Sequence, residues 1–195
     1  MSVIYLASHS PRRHQLLREF GIQHKIVDHL FDEESLDPNT FLNKETYVKK
    51  LALNKAESVI NLQNNWILSA DTIVVFNNRV FNKPTDLNQA ISYLETLSGN
   101  KHQVMTAFCL LNKKLNKKIV RCAKATITFN KLSKDQIKDY VFKSKPLDKA
   151  GGYAIQELPS GFVKKCTGSK FTVIGLPIFM LKRVIKRIHN NTLSL

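Results

Sequence analysis

A chain of 195 residues with 43% hydrophobic content can bury a substantial core and falls in the range of one globular unit, here residues 1–195. Its formal net charge of +15 points to an anionic partner without naming the anion, since such a field concentrates phosphates and polyanions. Three scattered cysteines, Cys109, Cys122 and Cys166, exclude a disulfide framework and a paired-thiolate zinc site, which fits a reducing cytoplasm.

Residues 2–7 read as a buried strand, and Arg12 and Arg13 follow it, the reverse of the charge order of a secretory signal. Pro11 suits the first position of a helix capped by Ser10, with Leu16, Leu17 and Phe20 inward and Gly21 ending it. A short strand at 25–27 comes next. Tyr47, Val48, Leu51, Ala52, Ala56, Val59 and Ile60 recur at helical spacing, so 45–62 reads as a long amphipathic helix. Residues 66–76 form a strand, too short to span a bilayer and broken by Asp71, with Asn77-Asn78 a tight turn into Val80-Phe81.

Asp86 opens a helix that Gly99 closes, and 102–111 and 118–129 are two long strands that pair through a lysine-rich turn. Ser133 and Gln136 have capping-box spacing for a helix to about Lys143, and Pro177 starts a last helix ending near His189. The stretch 146–177 between them is Gly-rich and without periodicity. The lysine pairs at 49–50, 113–114, 117–118 and 164–165 read as solvated surface. Strands and helices alternate without the beat of a parallel array, which predicts an α/β fold with a mixed, twisted sheet, helices packed on it and a cleft.

Four segments carry chemistry. In Leu6-Ala-Ser-His-Ser-Pro-Arg-Arg13, hydroxyls and two guanidiniums sit where a strand turns into a helix, a place suited to an anion and equally to a capped helix with solvated arginines. It lacks the glycines of a P-loop. Asp71, in Ser69-Ala-Asp-Thr-Ile-Val-Val75, interrupts a buried strand, so it belongs at a cleft beside a cation, metal or reacting water, or else bonded to a backbone turn. Lys83-Pro84 follows closely enough to return a cation to that sheet end. Asp32-Glu33-Glu34 is the acidic triplet of a basic chain and offers hard oxygens to a divalent cation, or simply balances nearby lysines. Asp148-Lys-Ala-Gly-Gly-Tyr-Ala-Ile-Gln156 combines glycines, a ring and an amide, the chemistry that reads a nucleobase.

Taken together, these blocks resemble the Maf family of nucleotide pyrophosphatases. The likeness rests on Leu-Ala-Ser-x-Ser-Pro-Arg-Arg at 6–13, Leu-Ala-x-x-Lys-Ala at 51–56, Ala-Asp-Thr-x-Val at 70–74 and Lys-Pro at 83–84. Leu-Ser-Gly-x-x-His-x-Val at 97–104, Leu-Asp-Lys-Ala-Gly-x-Tyr at 147–153 and Val-x-Gly-Leu-Pro at 173–177 continue it. Ala154 and Glu157 stand where that family often has glycine, and Thr172 where asparagine is common.

The resemblance implies an elongated mixed sheet in two lobes around a cleft, similar to inosine triphosphate pyrophosphatases. It implies hydrolysis of dTTP and UTP between the α and β phosphates with a divalent cation, Mg2+ or Mn2+. It makes Asp71 the proton acceptor, places Ser8, Ser10, Arg12, Arg13, Glu33, Lys55 and Lys83 around the triphosphate and metal, with Glu33 and Asp71 on the cation, and assigns base selectivity to Arg12, Thr72 and Gln156. Roles in excluding modified nucleotides and in arrest of cell division are associated with the family. The expected partner is a nucleoside triphosphate, with no membrane and no stable nucleic-acid complex; a homodimer stays open. The competing reading of the charge is a basic nucleic-acid-binding or regulatory module without turnover.

Overall fold

In this computed structural model, which describes residues 3–192, the pattern resolves into a mixed sheet of seven strands flanked by helices. Strand β1 (Ile4–Ala7) leads into helix α1 (Pro11–Glu19), and β2 (His24–Ile26) returns beside β1. Helix α2 (Lys44–Glu57) precedes the largely buried β3 (Ile67–Phe76), which turns into β4 (Arg79–Phe81). Then follow α3 (Leu87–Leu97), the long pair β5 (Lys101–Asn112) and β6 (Lys117–Phe129), α4 (Lys134–Ser144), β7 (Val163–Thr167), α5 (Lys170–Ile174) and α6 (Ile178–Thr192). Ser2, which the sequence pattern puts in the first strand, lies outside the described residues. Among the described residues no helix is long and apolar enough to cross a membrane.

Local chemistry explains most boundaries. Asn77 and Asn78 both take positive φ, 48° and 61°, which gives the hairpin turn the twist that flanking strands need. The capping box of α4 is present: the Gln136 N–H donates to Ser133 Oγ at 3.2 Å, and the Ser133 N–H to Gln136 Oε1 at 2.9 Å. Ser10 occupies the cap position of α1, but contrary to the capping expectation its side chain makes no cap bond. Its N–H instead donates to Ser8 Oγ at 3.3 Å.

Helix α2 stops at Glu57, short of the expected Leu62. Lys113 Nζ donates to the carbonyls of Glu57 and Val59, at 3.1 and 2.6 Å, and so satisfies the orphan acceptors of the helix end. Lys113 is thereby a structural cap, not the solvated surface residue expected of its pair. Val59 and Leu62 still pack on the core, from irregular chain. Besides a 3-10 turn at Ala150–Gly152, the stretch without periodicity also contains a strand and a helix. β7 is an exposed edge strand whose partner β6 specifies it, and α5 has only 5 residues, too few for a helical repeat to register.

The sheet order is β2-β1-β3-β5-β6-β7, with β4 also on β3. β1 lies parallel to β2 and β3, and the other pairings are antiparallel. One core packs Leu68, Ala70 and Phe108 against Leu17 of α1 and Leu181 of α6, while the opposite face packs Ile67, Ile73 and Cys109 against Leu51 and Ala52 of α2. A third core joins Val74, Val104 and Phe129 to α3 and α4 through Leu94 and Val141. Each fully buried Leu, Ile or Phe contributes about 1.5–3 kcal/mol to holding these layers together.

One break in the sheet positions the site. The β1 ladder on β3 ends at Ala7 opposite Ser69, and the β4 ladder begins at Phe81 opposite Val74. Residues 70–73 of β3 therefore have β5 on one edge and, among the described residues, no strand on the other. Segments 8–10 and 82–83 diverge at that point, and a cavity opens between them.

Candidate active site

The cavity has a volume of about 1100 Å³ and is lined from both sheet faces by residues of segments 8–13, 29–38, 82–85, 148–156 and 173–175, as well as Asp71 and Thr72. All residues singled out from the sequence line it: Ser8, Ser10, Arg12, Arg13, Glu33, Lys55, Asp71, Thr72, Lys83 and Gln156. Most of them are more than 15 positions apart in the chain, and the sheet break brings them together.

On one face, side chains at odd positions of β3 turn toward α2, since successive strand residues alternate. Ser69 donates its hydroxyl to the Ala52 carbonyl, and Asp71 Oδ1 accepts from Lys55 Nζ in the last turn of α2. Lys55 also meets Glu33 Oε1 at 2.9 Å, and Glu33 Oε2 lies 3.4 Å from Lys83 Nζ. The Lys55 side chain is only 4% exposed, whereas that of Lys83 is 58% exposed, so the two lysines face different dielectric surroundings. Burial pushes the Glu33 carboxyl up, but Lys55 and Lys83 outweigh it and hold it down at about 2. Asp32 caps its own short turn by accepting the Glu34 N–H at 3.0 Å, which leaves Glu33 free to turn inward.

On the other face, Arg13 reaches from α1 and makes three hydrogen bonds. Its Nε donates to the Gly175 carbonyl at 2.9 Å, Nη1 to Ser8 Oγ at 2.9 Å and Nη2 to Thr72 Oγ1 at 3.3 Å. Thr72 also bonds Thr106 Oγ1 at 2.9 Å. Arg12 pairs with Asp148 at 3.1 Å, and Asp148 with Lys149 at 2.8 Å, so the first segment and the glycine-rich loop are joined across the cavity. Gln156 is exposed at the rim of that loop.

The loop itself is held by close approach. A Cβ on Gly151, at φ +72°, would sit 2.8 Å from Val74 Cγ2, so glycine alone lets the turn lie on β3. Ala154 and Glu157 adopt no positive φ, and glycine is not needed at either position. Tyr153 is anchored by His102 Nε2 at 2.7 Å, and burial pushes the His102 imidazole down to about 4, which keeps it neutral near pH 7.

Several site residues escape a reading of the sequence. Tyr47 counts as one of the apolar positions of α2, yet it lines the cavity, and burial followed by the charge of Asp71 pushes its phenol up to about 12. Its phenol therefore stays protonated near pH 7. His29 also lines the cavity, and burial, then Lys55, lowers its pKa. Thr106 sits in an ordinary strand pattern. A tyrosine at a core position and a threonine amid apolar strand residues were the available signals.

Chemically the arrangement is a buried carboxylate beside paired cations, with guanidiniums, hydroxyls and an amide around one open volume. The chain is similar in sequence to proteins of known name. The dTTP/UTP pyrophosphatase of Alkaliphilus oremlandii is 39% identical over 188 residues, 95% of this chain and 96% of that protein. The dTTP/UTP pyrophosphatase of Pseudoalteromonas translucida is likewise 39% identical over 188 residues, with the same coverage of 95% and 96%. That of Clostridium botulinum (strain Kyoto / Type A2) is 37% identical over 195 residues, 98% of this chain and 100% of its own. Residues 3–188 match the family described as Maf-like protein, and a match of that extent means that the chain belongs to the Maf-like family.

Proposed function

We propose that this chain is a nucleoside triphosphate pyrophosphatase that hydrolyses dTTP and UTP between the α and β phosphates. The observation that carries the reading is the cluster at the sheet break, where Asp71 and Glu33 converge on Lys55 inside a cavity that also holds Arg12, Arg13, Ser8 and Lys83. The names of relatives at 36–39% identity over about 95% of the chain support the substrate class.

The reaction needs charge neutralisation and alignment more than covalent chemistry. Water attacks the α-phosphorus, its proton passes to Asp71, the bond from that phosphorus to the bridging oxygen breaks, and pyrophosphate leaves. Asp71 Oδ1 is occupied by Lys55, so Oδ2 is the atom that takes the proton. Lys83, being exposed, swings to the outer phosphates, and Arg12 exchanges its Asp148 partner for phosphate oxygens. The chemistry of the donor set suits a divalent cation, because Lys55 gathers the carboxylates of Glu33 and Asp71 beside one another, and one or two carboxylates suffice for magnesium. These two residues would hold Mg2+ or Mn2+, and the cation would supply further neutralisation of the phosphates.

The test is to incubate the protein with separate triphosphates and magnesium and to assay pyrophosphate and monophosphate. Release from dTTP and UTP well above CTP, ATP and GTP is expected. Absence of turnover, or a purine preference, would overturn the proposal.

A further inference from the structure

Three threonines meet beside the cavity. Thr72 and Thr106 lie directly opposite each other in the β3–β5 ladder with their Oγ1 atoms 2.9 Å apart. Thr106, fully buried, reaches on to the backbone oxygen of Thr172 in α5 at 2.7 Å. A carbonyl oxygen only accepts, so Thr106 donates its single proton there. At the contact between the two hydroxyls Thr106 is then the acceptor and Thr72 the donor.

With its proton committed, Thr72 has two lone pairs. One takes the hydrogen bond from Arg13 Nη2 at 3.3 Å, since a guanidinium only donates. The other is left for the cavity that Thr72 lines. Thr72 can therefore meet a ligand only as an acceptor, although a free threonine hydroxyl could serve either way.

We propose that Thr106 is a positioning residue for base choice: its bond to the Thr172 carbonyl fixes the Thr72 hydroxyl as an acceptor facing the cavity, which selects bases with a proton on N3. Uracil and thymine carry N3–H, whereas cytosine presents an N3 lone pair that would face the Thr72 lone pair. The inference rests on the proposed preference for dTTP and UTP and on the base-selecting role that the family resemblance implies for Thr72. It complements Gln156, whose amide can flip to match either pattern and so discriminates only where a neighbour fixes the orientation.

The experiment compares kcat/KM for UTP and CTP in the wild type, Thr106→Val, Thr106→Ser and Thr72→Val. Thr106→Val keeps the shape and removes the hydroxyl, so Thr72 regains a rotatable proton. The UTP:CTP ratio should fall by about tenfold, the discrimination expected of one hydrogen bond, and Thr106→Ser should keep it. A folded Thr106→Val protein with the wild-type ratio overturns the inference, including the case in which both substrates slow equally through a structural effect. A second arm needs no variant: the wild type should process 3-methyl-UTP, which lacks the N3 proton, at least about tenfold less efficiently than UTP, and equal turnover overturns the acceptor assignment. If Thr72→Val lowers the ratio and Thr106→Val does not, only Thr106 is misassigned. If Thr72→Val leaves the ratio intact, the role of Thr72 at the base fails too, and this inference with it.

Discussion

Asp71 and Thr72 are neighbours in β3 whose side chains leave the sheet on opposite faces, Asp71 to Lys55 of α2 and Thr72 to Arg13 of α1. The period of two in a strand imposes this separation, and the missing strand partner at 70–73 lets both side chains reach one cavity around the open edge. In the proposed mechanism, proton transfer and base reading thus fall to adjacent residues whose side chains have independent hydrogen-bond partners.

That independence predicts a clean phenotype for Asp71→Asn. The amide keeps the volume but cannot accept the proton from water, so kcat should drop by about 100- to 10,000-fold, the usual range for loss of a general base. Lys55 retains Glu33 at 2.9 Å, so the fold should persist. Steady-state kinetics alongside circular dichroism checks both halves, and near-wild-type turnover would remove Asp71 from the chemistry.

The two lysines should separate by stability. Lys55→Ala removes the buried cation between two carboxylates and should cost about 3–5 kcal/mol. Lys83→Ala breaks a contact exposed on the lysine side and should cost at most about 1 kcal/mol. Both should weaken triphosphate binding more than nucleoside binding. Chemical denaturation and Michaelis constants at fixed magnesium measure the two effects, and equal denaturation midpoints for the variants would contradict the burial difference.

Glu33 predicts an acid limb of stability. Its folded pKa, about 2, lies below the ordinary value of 4.5, so its contribution is fully present above about pH 4.5 and is lost as pH falls toward about 2. Melting temperature should therefore drop less steeply across that window in Glu33→Gln than in the wild type. Parallel curves would mean that the ion pair does not form in solution. The same variant should need more magnesium for half-maximal activity.

Gln156→Ala should erode the preference for UTP over CTP by about 1–3 kcal/mol while sparing the phosphate contacts. Its exposure at the rim means that stability should change by less than about 0.5 kcal/mol. A panel of triphosphates assayed under one magnesium concentration, with a thermal melt, tests both statements.

Short-range physics made much of this molecule legible in its residues. The Asn77-Asn78 turn, the capping box of Ser133 and Gln136, and the pairing of two long strands follow from local dihedral preferences, caps and periodicity, which are written into consecutive residues. Asp71 was conspicuous because a charge inside an apolar strand demands a partner. The identity of that partner was another matter. Lys55 lies 16 residues away on a helix, and only the packing of α2 on β3 brings its ammonium to Asp71. Strand β7 and the end of α2 escaped for the same reason, since a pairing with β6 and a cap from Lys113 are contacts between distant segments. The polarity of the Thr72 hydroxyl lies deepest in the fold. It depends on three residues spread over 100 positions, and no property of any one of them encodes where its proton points.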